Sequence, residues 1–469
     1  MGTRSQDPNP PANSSLGRRA FLRGAGAAVL VGIGGGLAAC AKTTTPSTTA
    51  NKSTSTVKQT VNLAVAVPHA PTASAVAAVV AAFEKAHPGI QLSVPQSPSS
   101  TSKLITAVEA GQAPDVAVTT TPNVFRLWDA KAVLDLSHYL AQSSIANDFP
   151  STILSATKLP TGQLPGIASK AATDGLYYNV DAFKAAHLAL PTPEWTQDDF
   201  RSAALSLTST SRNVYGTGGD PWKYSVENAV AWGSSWVPAA NPVTLNYNQQ
   251  IVQGETFIQD LRYVDKSWMP GSIMNWNTSF PSGQMATIRQ NSYSLLSYGI
   301  GIGSSFKWST TSIPVGPARR AVQVSLVPWM ITANSQNPDA AWTYIEWCLS
   351  SPDYWNIVIP AQGTIPPVLS QLSRWESLIG QSPVLKGVDL SSWTLPITEN
   401  TIVIQPVFKY NNSNAWNWWG NAVGNCLTGN PPSGDMDVAT QFQAAATATN
   451  AYEAQQAKLA ASGSSTSAS

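Results

Sequence analysis

Charge is what this sequence has least of. Its 27 basic and 26 acidic residues make up 11% of 469, less than half of the roughly 25% usual in soluble proteins. The net charge of +1 leaves no basic excess to track a phosphate backbone, so nucleic acid is not an expected partner. Histidine is scarce as well: His69, His87, His138 and His187 are scattered, with no His-x-x-x-His or Cys-x-x-Cys spacing for a metal. No Gly-x-Ser-x-Gly elbow or phosphate-cradling glycine loop is present, and no cofactor is expected. A glycosidase needs only two carboxylates at the correct separation, which spacing along the chain does not exclude. Of the three cysteines, Cys348 and Cys426 leave two readings open, a bridge between them or a buried thiol at Cys348 within the helical pattern "AAWTYIEWCL".

The chain has one long apolar run, Ala25 to Ala39. At about 15 residues it is too short to span a bilayer as a resident helix and suits a signal-peptide core. Arg18-Arg19 and the following Ala20-Phe21-Leu22-Arg23 resemble a twin-arginine export motif. The run closes on Leu37-Ala38-Ala39-Cys40, which resembles a bacterial lipobox. That resemblance implies cleavage before Cys40 and a diacylglycerol on its thiol. The signal is therefore expected at 1–39, with the lipidated cysteine and a flexible tether at 40–57. The stretch "TTTPSTTANKSTSTVKQ" lacks the apolar residues needed to bury a core, and about 19 tether residues reach on the order of 25 Å. Cleavage removes four arginines and Asp7, which takes the mature chain from +1 to −2.

The roughly 400 residues that remain predict two domains rather than one. "VKQTVNLAVAV" reads as a strand, "TASAVAAVVAAFEKAHPGIQLSV" as a helix and a second strand, and "SKLITAVEAGQAPDVAVTT" repeats the order. Such alternation predicts an α/β fold with parallel strands and ligand loops at their carboxyl ends, here "PHAPT" and "TTTPN".

The segments "FEKAHPGIQL", "GQAPDV", "VLDLSHYL", "TDGLYYNVDAFKAAHL", "EWTQDDFRSAA", "FPSGQMA" and "NPDAAWTYIEWCLSSPDY" follow in register. Together they resemble the extracellular solute-binding proteins of carbohydrate ABC transporters, the group that includes maltose-binding proteins. The resemblance runs from about Val57 to Ala461. It implies a two-lobed periplasmic-binding-protein fold with a central ligand cleft and three inter-lobe crossings, near 169–174, 312–323 and 361–367. One lobe is expected from 58–170 plus 316–362, the other from 171–315 plus 363–460, with a disordered tail at 461–469. The implied partners are a carbohydrate, the transmembrane permease subunits of an importer, and the lipid membrane through Cys40. The implied protein is a monomer at the extracytoplasmic face of the cell membrane, a binder and not an enzyme. Two departures fall where such proteins touch ligand: Tyr293 stands at a tryptophan position with Asn291 in place of glycine, and "SLVPWM" replaces a glycine pair.

Sugar rings present apolar faces edged by hydroxyls, so their sites need aromatic platforms with neutral polar partners. The 17 tryptophans allow for both platforms and core. Trp128, Trp195, Trp342 and Trp347 sit in helical patterns and read as packing, and Trp416 and Trp419 share a helical face. Trp232, Trp236, Trp276 and Trp329 lie in loop-like stretches beside Gly, Ser, Asn or Pro and are the candidate platforms. By family position, His69, Thr121, Asn123, Tyr293, Gly363 and Thr364 join them, with Asp174 as a hydroxyl acceptor or a cap. A phosphodiester ligand instead requires a cleft arginine, for which Arg289, Arg319 and Arg320 are available.

Overall fold

A computed structural model describes residues 60–67, 71–96, 98, 100–159, 161–236, 244–399, 402–403, 412–428 and 437–462. The expected signal, Cys40, the tether and His69 lie outside the described residues. The strands are β1 (Val61–Ala64), β2 (Ile90–Ser93), β3 (Val116–Val118), β4 (Ile167–Asn179), β5 (Thr287–Asn291), β6 (Trp308–Thr311), β7 (Val322–Ile331) and β8 (Ile402–Val403). Helices α1 (Ala73–Ala86), α2 (Thr101–Glu109) and α3 (Thr121–Asp129) connect the first three and follow them.

Helix α1 starts where the Thr72 hydroxyl accepts the Ala75 amide and stops at His87, ahead of Pro88-Gly89. Its Val79 and Phe83, four residues apart, share one buried face. β1 and β2 pair in parallel, and β3 joins β1 through a parallel bridge between Val65 and Val116. Beyond β3 the only further parallel pair of strands among the described residues is β7 with β8, and the rest departs from the parallel expectation. β3 pairs antiparallel with β7, β7 antiparallel with β4, and β4 antiparallel with both β5 and β6.

The long strand β4 organises the molecule. Every one of its thirteen residues is buried, which explains why "IASKAATDGLYYN" shows no alternation. From Ile167 to Thr173 it pairs with β7, and from Asp174 onward with β5 and then β6. The change of partner falls between Thr173 and Asp174. Trp393 is wedged against it, accepting the Thr173 hydroxyl on its carbonyl at 2.8 Å and donating its indole N–H to Thr310 at 3.0 Å. Gly175 makes this fit possible, because a Cβ there would come within 2.8 Å of the Trp393 ring.

One apolar core runs from Leu63 and Phe83 through Ile167 and Trp329 to Tyr177 and Trp393, past the partner change. A second packs the helices Pro221–Ala231, Gln249–Tyr263 and Val438–Ala461 together. Cys348 lies in the first core and Cys426 in the second, both buried and not bridged to each other, which decides between the two cysteine readings. No helix of the described residues is long and apolar enough to cross a membrane.

Candidate functional site

A β-bulge in β4 builds the most distinctive feature of the molecule. Ala168 faces Pro328 and Ala171 faces Leu326, so Ser169 and Lys170 together oppose the single residue Val327. The Ser169 hydroxyl donates to the Val327 carbonyl and holds the bulge. A bulge turns a side chain out of the regular alternation, and the one it turns is Lys170.

Lys170 lines a cavity of about 570 Å³ at the end of β3. The opposing wall carries Ser100, Thr101 and Ser102 from the start of α2, then Thr119, Thr120 and Asn123 from the β3–α3 turn. Arg126, on the second turn of α3, completes the lining. The Lys170 ammonium sits 4.3 Å from the centre of the Tyr293 ring, which arrives from the turn after β5. Burial lowers the Lys170 pKa to about 8 and raises that of Tyr293. Among the described residues the buried Tyr293 hydroxyl has no hydrogen-bond partner.

The residues singled out from sequence divide into those this site gathers and those it does not. Asn123 lines the cavity, its side-chain amide donating to the Thr120 hydroxyl at 2.9 Å. Thr121 is buried next to it and donates to the Leu326 carbonyl at 3.2 Å. Tyr293 covers Lys170. Gly363 caps the helix Pro352–Gln362 in the left-handed region, and a Cβ there would stand 3.8 Å from the Ser292 carbonyl. Thr364 is fully buried and bonds Gln362 at 3.1 Å.

Asp174 caps no helix. It is buried and pairs with Lys223 at 3.3 Å, while Lys223 also donates to Gln290 at 2.8 Å. Burial raises the Asp174 pKa in spite of the opposing pull of Lys223, and its second oxygen is buried without a partner.

The tryptophan expectation fails at two positions. Trp236 is 1% exposed, donates its indole N–H to the Ser225 carbonyl at 3.0 Å, and packs on Trp419 and Phe442. Trp329 is 0% exposed on β7 between Tyr344 and Tyr354. Both rings are core, because the neighbouring Gly, Ser and Pro that suggested loops permit close packing equally well. Trp232 closes the helix Pro221–Ala231 half-buried against Phe257. Trp276 is 37% exposed, with its carbonyl held by the Tyr298 hydroxyl at 2.7 Å. Neither lines the Lys170 cavity.

Arg289 is no cleft arginine either. It lies in the interior against Tyr224 and Phe200, paired with Glu227 at 3.4 Å. Arg320 donates to the carbonyls of Ile313 and Pro193. Sequence reasoning missed Lys170 and Arg126. The signal for Lys170 was available: it is one of only two charged residues in the unbroken small-residue and apolar run of β4.

A strand that changes partners at its midpoint, with a polar cavity beside its first half, matches a two-lobed binding-protein fold. Residues 67–354 match the family described as Bacterial extracellular solute-binding protein, and the chain belongs to that family. Among curated proteins none matches. Solved structures share the fold. The sugar-binding protein MalE from Xanthomonas citri is 17% identical with a TM-score of 0.70, covering 85% of this chain and 99% of its own. A substrate-binding protein from Listeria monocytogenes in complex with cycloalternan is 17% identical with a TM-score of 0.69, covering 84% and 100%. The cyclic alpha-maltosyl-1,6-maltose binding protein from Arthrobacter globiformis is 20% identical with a TM-score of 0.68, covering 84% and 99%.

Proposed function

We propose that this chain captures a sugar or oligosaccharide between its lobes and presents it to the permease subunits of an ABC importer. The observation that supports this most is the cavity beside the β4 bulge, which Lys170 lines together with hydroxyl and amide side chains of the β3–α3 turn and the start of α2, with the Tyr293 ring against the Lys170 ammonium. An aromatic face with neutral hydrogen-bonding partners is what a pyranose requires. Cycloalternan and cyclic alpha-maltosyl-1,6-maltose, named with proteins of the same fold, are carbohydrates.

The lobes divide at the partner change of β4. Hinge motion about that point opens the cavity, and a ligand touching both sides favours the closed state by its extra contacts there. The role is capture, without bond-making chemistry, by a monomer. The lipobox-like Leu37 to Cys40 supports a lipid anchor on Cys40 at the extracytoplasmic membrane face. Replacing Cys40 by Ala should release it from the membrane fraction, and retention of labelled lipid by that variant would refute the anchor.

Thermal-shift screening against mono-, di- and oligosaccharides tests the binding role. A cognate sugar at 100 times its dissociation constant adds about 2.7 kcal/mol and raises the melting midpoint. A carbohydrate panel that leaves the midpoint unmoved throughout would contradict the assignment.

A further inference from the structure

Lys170 is an unusual residue to find at a neutral-sugar site. It is 7% exposed, and among the described residues its ammonium has no carboxylate and no hydrogen-bond acceptor, only the face of Tyr293. A buried ammonium without a counter-charge is costly, and nothing about the bulge requires lysine at that position. The same cavity holds a second cation, Arg126, and among its described lining residues there is no Asp or Glu.

Two helices begin at this cavity. Ser100 is the N-cap of α2 and Thr120 the N-cap of α3, each helix nine residues long. The first amides of a helix have no carbonyl within the helix to bond and carry partial positive charge. At α3 the Thr120 hydroxyl makes no cap bond to the helix, because it accepts the Asn123 side chain instead. Two helix N-termini, an unpaired buried ammonium and a guanidinium therefore surround one space, all of the same sign. A neutral hydroxyl accepts at most two of these hydrogen bonds and carries no charge, whereas an oxyanion would engage several donors at once and supply the missing charge.

We propose that the solute taken up here carries an oxyanion, a carboxylate or a phosphoryl group borne on a sugar or polyol, and that this group docks between Lys170 and the start of α2 and α3. This rests on the cleft being the solute site, and it narrows the ligand from sugars in general to acidic ones. Tyr293 is then left to stack on the neutral body of the solute or to hold the Lys170 ammonium over the anion. Arg126, exposed on α3, closes the outer edge of the anion pocket.

The test has two arms on the mature, intact protein at low ionic strength. In the first, inorganic phosphate is titrated and followed by thermal shift and by heteronuclear spectra of the wild type, Lys170→Met and Arg126→Gln. Saturable phosphate binding that Lys170→Met abolishes and Arg126→Gln weakens about threefold or more supports the proposal. No saturable binding, or binding that Lys170→Met leaves unchanged, overturns it. Near-UV circular dichroism confirms that Lys170→Met is folded, and Arg126→Gln, at an exposed position, remains informative if it is not.

The second arm compares D-glucose, D-glucuronate and D-glucose 6-phosphate, then neutral and uronate-bearing disaccharides. Preference of about tenfold or more for an acidic member, lost in Lys170→Met, supports the proposal, and the better of carboxylate and phosphoryl identifies the group. Tight binding of neutral sugars with indifference to acidic ones overturns the proposal while leaving sugar capture intact. Phosphate bound through Lys170 with no carbohydrate bound at all supports the anion pocket and instead sinks the carbohydrate reading.

Discussion

Truncating Trp236 to alanine separates packing from binding, because its ring makes only interior contacts. It is 1% exposed, lies 5.4 Å from both Trp419 and Phe442, and its N–H bonds the Ser225 carbonyl at 3.0 Å. Loss of a buried Trp side chain costs about 3 to 5 kcal/mol. The indole hydrogen bond adds about 0.5 to 1 kcal/mol, kept small because Ser225 lies inside a helix whose own bonds still use that carbonyl. A destabilisation on the order of 4 kcal/mol is therefore expected, read as a lowered urea midpoint at unchanged slope. Below that transition the variant should bind its solute as the wild type does. Nearly unchanged stability together with a tenfold loss of affinity would refute the placement of this ring in the core and restore it as a ligand platform.

Three further outcomes follow from individual residues. Burial raises the Glu255 carboxyl from 4.5 to about 8, so the folded state holds a proton that the unfolded state releases above about pH 4.5. Stability should fall as pH climbs from there to about 8, by on the order of 4 kcal/mol. Glu255→Gln should flatten that slope in denaturant titrations across the range, and an equal slope in both proteins would contradict it. Gly363→Ala should lower stability by about 1 to 2 kcal/mol, since φ is 69° there and the added Cβ meets nothing closer than 3.5 Å; an unchanged melting midpoint would show that the left-handed cap is not adopted. Cys348 and Cys426 should react with a thiol reagent only on unfolding, as two thiols, and one disulfide by intact mass would contradict the separate cores.

Much of the fold was legible because local rules and global form agree in the first third of the chain. Thr72 and Ser100 cap α1 and α2 where the pattern begins, and Pro88-Gly89 follows the end of α1. Past β3 the parallel reading holds for β7 with β8 and not for β4, because β4 and β7 come from opposite ends of the middle of the chain. Their antiparallel pairing is a long-range contact with no sequence period to announce it. Motif register located the loops of Asn123, Thr121 and Tyr293, and the structure sets Asn123 in the cavity lining and Tyr293 over Lys170. The charge of Lys170 stood out within the β4 run, but its place in the cavity did not, because a bulge depends on how two distant strands align, one residue of β7 against two of β4. Loop-like composition misled for Trp236 and Trp329, since small neighbours accompany tight packing as readily as exposure.

The proposed solute site is the cavity beside the β4 bulge, at Lys170. Amide hydrogen exchange with and without a saturating ligand from the sugar screen tests it most directly. Added protection is expected at residues 100–103, 119–123, 169–171 and 292–294 together, with little change in the helix Val438–Ala461. Protection confined to that helix or to the Trp232 and Trp236 region, with the β4 bulge and the β3–α3 turn unaffected, would contradict it.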